Sequence, residues 1–305
     1  MVDLTVHVGA LKLKNPVLVA SGTFGYGQES QELVDLNALG GIVTKSISLE
    51  VRDGNPPARI VELPAGLLNS IGLANVGVQA FISEKLPFLR TLDTTIVVNV
   101  AGSTPEEFVS VVQLLEQQDG VDAYELNFSC PNVKEGGLEF SQNPRVTGRV
   151  TGMVRAVTRR PLLVKLTPNV TRVGEIARAA QEAGADGVSL INTLVGMAVD
   201  VNTLRPRINT IVGGYSGPAI KPVALAKVHE VASEVDIPII GIGGIMNGTD
   251  ALEFLVTGAT AVQVGTANFI DPATGEKIIA AIAQYCEERN IEKVADLVGT
   301  LKTDT

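Results

Sequence analysis

The segment Asn127-Phe128-Ser129-Cys130-Pro131-Asn132 sets a thiol among polar neighbours and beside a proline that cannot continue a helix. Such a cysteine lies on a loop, where its thiolate is a candidate base or nucleophile. Lys134 would favour the thiolate if it faced the sulfur, and Lys134-Glu135-Gly136-Gly137 has the glycines a movable loop needs. The commoner fate of a cysteine, as a small buried hydrophobe, suits Cys286 in the helix-patterned Ile278–Arg289. Elsewhere polar groups end apolar runs: Ser21, Lys45-Ser46, Asn99, Asn127, Lys165 and Asn192-Thr193. Any one asparagine among them could merely solvate a loop start. Two lysines and three asparagines converging, with hardly an acid among them, would suit a planar, anionic, heteroatom-rich ligand. Gly243-Gly244 precedes a helix beginning near Asn247-Gly248-Thr249-Asp250, and Gly265-Thr266 follows one unit later. Glycines at those places let backbone amides approach a phosphate, whether of a flavin mononucleotide or of a sugar.

These groups need a frame. Short aliphatic runs predict strands at Pro16–Ala20, Gly41–Lys45, Thr95–Val100, Ala123–Phe128, Leu162–Leu166, Gly187–Ile191, Pro238–Ile242 and Ala261–Gly265. Helix-period segments fall between them at Glu29–Leu36, Pro105–Gln117, Pro144–Val157, Val173–Ala183, Pro222–Val235 and Thr249–Thr257. Thr104-Pro105 and Asn143-Pro144 give start signals, and Gly184 and Gly258 stand where helices end. Near-continuous apolar strands alternating with helices give α/β, and eight of them predict a (β/α)8 TIM barrel. An open doubly wound sheet shares the local pattern, but no Gly-x-Gly-x-x-Gly turn follows the first strand. In such a barrel the strand ends gather the active site, and the last two loops are the usual phosphate cradle. The overlong connections Ser46–Thr94 and Asn192–Pro222 are expected to form parts of a lid. Leu4–Val8 and Leu11–Leu13 read as a hairpin capping the opposite end.

Composition bounds the rest. The 305 residues are 45% hydrophobic and 19% charged, with no break in composition, so one domain spanning 1–305 is expected. A net charge of −9 argues against a nucleic-acid or anionic-membrane surface but not against a small anionic ligand. Two cysteines make neither a disulfide framework nor a Cys-x-x-Cys metal site, so no metal is expected and a reducing compartment fits. The N-terminus lacks signal-peptide features, and no stretch approaches about 18 consecutive apolar residues, so a soluble, cytoplasmic protein is expected.

The motifs together resemble one family. Asn127 to Val133 is similar to the catalytic segment of class 1 dihydroorotate dehydrogenases, and Asn69-Ser70-Ile71-Gly72-Leu73 to their substrate loop. Lys45-Ser46, Lys165, Asn192-Thr193, Gly243-Gly244 and Gly265-Thr266 fall in the family's order, so the likeness spans nearly the whole chain. Val133-Lys134-Glu135-Gly136-Gly137 resembles the NAD-linked subtype, class 1B, rather than the fumarate-linked class 1A. Departures are Ala74-Asn75-Val76-Gly77, where Gln-Asn-Pro-Gly is more frequent, and Ser141 after Phe140, where glycine is common. The first could alter the loop's stiffness.

The resemblance implies an FMN enzyme oxidising (S)-dihydroorotate to orotate in pyrimidine synthesis. It assigns FMN to Ser21, Lys45, Ser46, Asn99, Asn127, Lys165, Ile191, Gly217, Gly243, Gly244, Gly265 and Thr266. It assigns substrate to Lys45, Asn69, Ser70, Ile71, Gly72, Leu73, Asn127, Asn192 and Thr193, and the base to Cys130. The chemistry asks for these types independently: a thiolate takes a proton from carbon while flavin N5 accepts a hydride from the other side. A cation such as Lys165 beside the ring would stabilise the negative charge gained on reduction. The subtype further implies a partner subunit carrying FAD and a [2Fe-2S] cluster, in a heterotetramer around a catalytic dimer. Two other readings stay open: a flavin-free phosphate-sugar isomerase or aldolase using Lys165 as a Schiff base, and a barrel holding its cofactor for structure only.

Overall fold

The structure, a computed structural model, describes residues 2–128, 140 and 142–303. An antiparallel hairpin, β1 (Val6–Val8) and β2 (Leu11–Leu13), opens the chain. A Cβ placed on Gly9 at its tip would sit 3.1 Å from Asp186 Cβ. β3 (Val17–Val19) and β4 (Gly41–Val43) follow, then a second hairpin of β5 (Ile60–Leu63) and β6 (Gly66–Asn69). Next come β7 (Thr95–Val100), β8 (Ala123–Asn127), β9 (Leu162–Leu166) and β10 (Gly187–Leu190). After them lie β11 (Leu194–Gly196), β12 (Val199–Asp200), β13 (Arg205–Pro206) and β14 (Gly213–Ser216). β15 (Ile239–Ile242) and β16 (Ala261–Val264) complete the set.

Eight of these strands close a parallel barrel in the order β3-β4-β7-β8-β9-β10-β15-β16, with β16 returning to β3. This is the predicted (β/α)8 architecture, and each predicted strand is present with ends within two residues. β8, β9, β10, β15 and β16 are buried along their whole length, because helices cover them outside and side chains fill them inside. The hairpin β1–β2 packs on the barrel's N-terminal end, since Asp186 immediately precedes β10. That is the end away from the strand termini that carry the polar groups.

Helices form where the start signals stand. A short helical run comprises α1 (Gly77–Ala80), a π-helical stretch over Phe81–Lys85 and α2 (Leu86–Leu89). α3 (Pro105–Glu116) is capped by Thr104, whose hydroxyl accepts from the Glu107 amide, and α4 (Pro144–Arg155) by Asn143, which accepts from Arg145. α5 (Val173–Glu182), α6 (Lys221–Ala232), α7 (Gly248–Thr257) and α8 (Thr274–Glu288) follow, and Gly258 ends α7 with φ 128°. Cys286 lies fully buried in α8. Among the described residues no helix is long and apolar enough to cross a membrane.

One expectation changes. Glu29–Leu36 is not an α-helix: it holds only the 3-10 turns Gln28–Ser30 and Leu36–Ala38. The first turn buries no side chain, so no apolar stripe anchors a helix there. The two overlong connections, expected to form parts of a lid, join in one sheet. β5 and β6 from the first pair with β14 and β11 from the second, giving a four-stranded antiparallel sheet in the order β11-β14-β6-β5. Leu68, Ala198 and Ile208 form its own small core.

Candidate active site

Strand register puts the predicted polar groups on neighbouring rungs at the barrel's C-terminal end. Asn127 at the end of β8 lies opposite Lys165 on β9, and Lys165 lies opposite Ser189 on β10. Asn127 Nδ2 donates to Ser46 Oγ at 3.3 Å, joining the ends of β8 and β4. Asn99 is held from both sides, its amide donating to Thr44 Oγ1 at 3.3 Å and its carbonyl accepting from Ile47 at 2.8 Å. Lys45, half-buried, is tied by its amide to the Gly25 carbonyl at 2.9 Å. Ile191 donates to Ile242 and Asn192 to Leu166, so both backbones are fixed to the barrel rim.

Below this rim lies a group the sequence reading passed over. Glu125, two residues before Asn127 and fully buried, accepts hydrogen bonds from Asn99 Nδ2, Ser189 Oγ and Gln263 Nε2, each at 2.7 Å. Lys165 Nζ lies 3.5 Å from the same carboxylate, its side chain only 6% exposed. The expected scarcity of acids thus has one exception: this carboxylate sits beneath the rim as the counter-ion of Lys165. With their amide nitrogens committed to Glu125, Asn99 Oδ1 and Gln263 Oε1 are buried acceptors with no hydrogen-bond partner among the described residues. The available signal was parity: Glu125 shares the inward face of β8 with Asn127.

The antiparallel sheet brings the two predicted halves of the substrate site together. Asn69 pairs in register with Gly214 and donates to its carbonyl through Nδ2 at 3.2 Å. A Cβ added to Gly214 would sit 2.1 Å from Thr193 Oγ1, so Asn69 and Thr193 flank one glycine. The loop Ser70–Leu73 turns through left-handed conformations at Gly72 (φ 76°) and Leu73 (φ 58°). It is braced by Asn55, whose amide donates to the Ile71 carbonyl and whose side chain donates to that of Ser70. Ser70 Oγ is buried with no hydrogen-bond partner among the described residues. Asn75, not predicted as functional, anchors the loop's far end. Its side chain donates to Ser48 Oγ and the Leu73 carbonyl and accepts from the amides of Ser48 and Gly77.

At the predicted phosphate end, Thr266 Oγ1 donates to Ser216 Oγ at 2.8 Å, linking the loop after β16 to β14 just before Gly217. Gly265 has φ −110°, and a Cβ there would meet nothing nearer than 3.7 Å, so the protein's own packing does not require glycine. The α7 N-terminus is closed by its own cap, Asn247 Oδ1 accepting from the Asp250 amide. Asp250 in turn accepts from Met246 and holds Lys221, whose pKa is raised mainly by its hydrogen bonds to Asp250 and Glu253.

Cys130, the predicted base, lies outside the described residues, as do the neighbours that resemble the NAD-linked subtype. On either side of that segment, Phe128, fully buried, packs with ring centroids 6.0 Å from Phe140, and both stack edge-on against Phe108. Phe128 and Phe140 thus lie side by side near the end of β8.

A closed parallel barrel with a lysine- and amide-lined rim at its C-terminal end is the frame of a ligand-binding α/β enzyme. The family model for dihydroorotate dehydrogenase matches residues 3–285, and the chain belongs to that family. Among its relatives, the dihydroorotate dehydrogenase B (NAD(+)) catalytic subunit of Geotalea daltonii is 54% identical over 300 residues, covering 98% of each chain. The protein of that name from a Thermoanaerobacter species is 51% identical over 302 residues, covering 99% of this chain and 100% of its own. In fold, the chain resembles an Eimeria tenella DHODH solved in complex with ferulenol, with a TM-score of 0.81 at 21% identity, over 98% and 88% of the two chains.

Proposed function

We propose that this chain is the catalytic subunit of an NAD-linked dihydroorotate dehydrogenase, oxidising (S)-dihydroorotate to orotate in pyrimidine biosynthesis. The observation that carries the reading is near-full-length identity of 51–54% to subunits of that name, on a barrel whose rim holds the residue types the reaction asks for.

The residues fit FMN. Asn99 Oδ1 and Gln263 Oε1 are buried acceptors with no hydrogen-bond partner among the described residues, beside a lysine, a suitable environment for a polar ring edge. At Gly265 a Cβ would make only ordinary contacts with Ala20 and Thr23, so packing among the described residues does not ask for glycine, and close approach of a phosphate is a suitable reason for it. In this reading Ser21, Lys45, Ser46, Asn99, Asn127, Lys165, Ile191 and Gly217 line the ring and ribityl chain. Gly243, Gly244, Gly265 and Thr266 hold the phosphate, because the α7 amides are partly committed to their own cap. When bound, FMN supplies the hydride acceptor. Lys45, Asn127, Asn192, Thr193 and Asn69–Leu73 orient the dihydropyrimidine, their amides reading its carboxylate and ring amides without a large net charge. Cys130, three residues beyond Asn127, takes the proton from carbon on the side of the substrate facing away from the cofactor. The sheet β11-β14-β6-β5 excludes water from above.

Electrons leave through a second polypeptide carrying FAD and a [2Fe-2S] cluster, in a heterotetramer built on a catalytic dimer. Two cysteines in the whole chain, one of them buried in α8, cannot ligate such a cluster here. The test is spectroscopic. The purified chain is expected to be yellow, to bleach on anaerobic addition of dihydroorotate, and to reduce NAD+ only with the partner subunit present. A colourless chain overturns the flavin reading, and rapid turnover with fumarate by the single chain overturns the NAD-linked one.

A further inference from the structure

None of the roles above uses the carboxylate of Glu125, yet it joins four barrel strands. Asn99 on β7, Ser189 on β10 and Gln263 on β16 each donate to it at 2.7 Å, and Lys165 on β9 stands 3.5 Å away. Removing a carboxylate from water costs several kcal/mol, and well-packed aliphatic residues often hold a core at least as firmly as an ion pair. Barrel packing alone therefore does not call for a charge at this position. The donors that satisfy Glu125 leave Asn99 Oδ1 and Gln263 Oε1 buried and, among the described residues, without a hydrogen bond. The cluster thus combines a fixed anion, a fixed cation and two buried amide oxygens.

We propose that Glu125 is a positioning residue that sets the reduction potential of the FMN, by fixing Lys165 in place and tempering the positive field that Lys165 presents to the ring. The proposal rests on the FMN reading above. A flavin ring gains negative charge on reduction, so a nearby cation favours the reduced form and a nearby anion opposes it. With Glu125 ionised the pair carries no net charge. Removing only that negative charge makes reduction easier, and the potential rises.

E125Q makes this change within the existing network. The new amide oxygen can still accept from Asn99 and Lys165, and its NH2 would face Ser189 and Gln263. The Ser189 hydroxyl can turn to accept, and a flip of the Gln263 amide presents its unbonded Oε1. The experiment measures the FMN midpoint potential of the full-length chain against a reference dye, for wild type, E125Q and E125D, with FMN content and thermal unfolding alongside. E125Q is expected to keep FMN and its fold and to shift the oxidised–reduced equilibrium at least tenfold toward reduced, about 30 mV for a two-electron couple. E125D, which keeps the charge, is expected within about threefold of wild type. An E125Q potential that is unmoved or lower overturns the proposal, as does E125D shifting as far as E125Q. An E125Q chain that fails to fold or to keep FMN overturns it too, because Glu125 would then serve the architecture or the cofactor's retention. A wild-type chain that takes up no FMN overturns the cofactor reading itself, whereas FMN-bound wild type beside an unmoved E125Q overturns this proposal alone.

Discussion

Lys165 and Glu125 are 3.5 Å apart with almost no exposure, so truncating Lys165 leaves the Glu125 carboxylate buried without its cation. K165A is therefore expected to lower stability by about 3–5 kcal/mol, read from chemical denaturation, besides weakening FMN retention. Stability equal to wild type would show that the three hydrogen bonds to Glu125 hold its carboxylate without the lysine. Cys130 acts on the substrate and not on the cofactor in the proposed reaction. C130A is thus expected to keep FMN while flavin reduction by dihydroorotate falls by about 10²–10⁴-fold, the usual contribution of a positioned base. A wild-type reduction rate in stopped-flow would remove Cys130 from that role. The rim residues were legible in the sequence because each ends an aliphatic run, where a polar side chain has no packing reason to be. Glu125, Ser189 and Gln263 were not. They stand inside strands, where parity with Asn127 turns Glu125 inward but only the closed barrel brings Ser189 and Gln263 to it.

At the scale of elements, the central event is the pairing of β6 with β14, which sets Asn69 against Gly214 and Gly214 against Thr193. A methyl at position 214 would displace Thr193 while leaving the barrel untouched. G214A is expected to raise KM for dihydroorotate about tenfold or more with FMN content unchanged. An unchanged KM would separate Thr193 from substrate binding. The barrel strands could be read from the chain because each is a self-contained apolar run punctuated by a capped helix. The antiparallel sheet could not. Its strands are short, β14 begins with two glycines, and its register depends on segments separated by 145 residues. The missing helix over Glu29–Leu36 has a related cause: its period was present, but its first turn buries no side chain and only Leu36 at its end is fully in the core.

For the molecule as a whole, the barrel wall imposes its own dependence on pH. Tyr124, fully buried on β8, donates through its hydroxyl to Glu116 Oε1 at 2.8 Å. Burial first, and that hydrogen bond second, push its pKa above the ordinary phenol value of 10.0. A phenol held protonated in the folded state contributes stability that is complete below the unfolded value and is lost as pH rises from there toward the folded one. Unfolding free energy is therefore expected to fall with pH above about 10, and the fall to be smaller in Y124F, as measured by urea titrations across that range. An equal fall in both proteins would place the alkaline sensitivity elsewhere.

The pairing of Asn69 with Gly214 has a consequence for synthesis on the ribosome. Seven-tenths of the polypeptide must emerge before the proposed substrate site has its second half. Until then a nascent chain can display the Asn69–Leu73 loop but lacks the β14 strand that pairs with β6. Capture of dihydroorotate is accordingly among the last abilities the growing protein acquires, and any fragment that stops short of β14 should lack it.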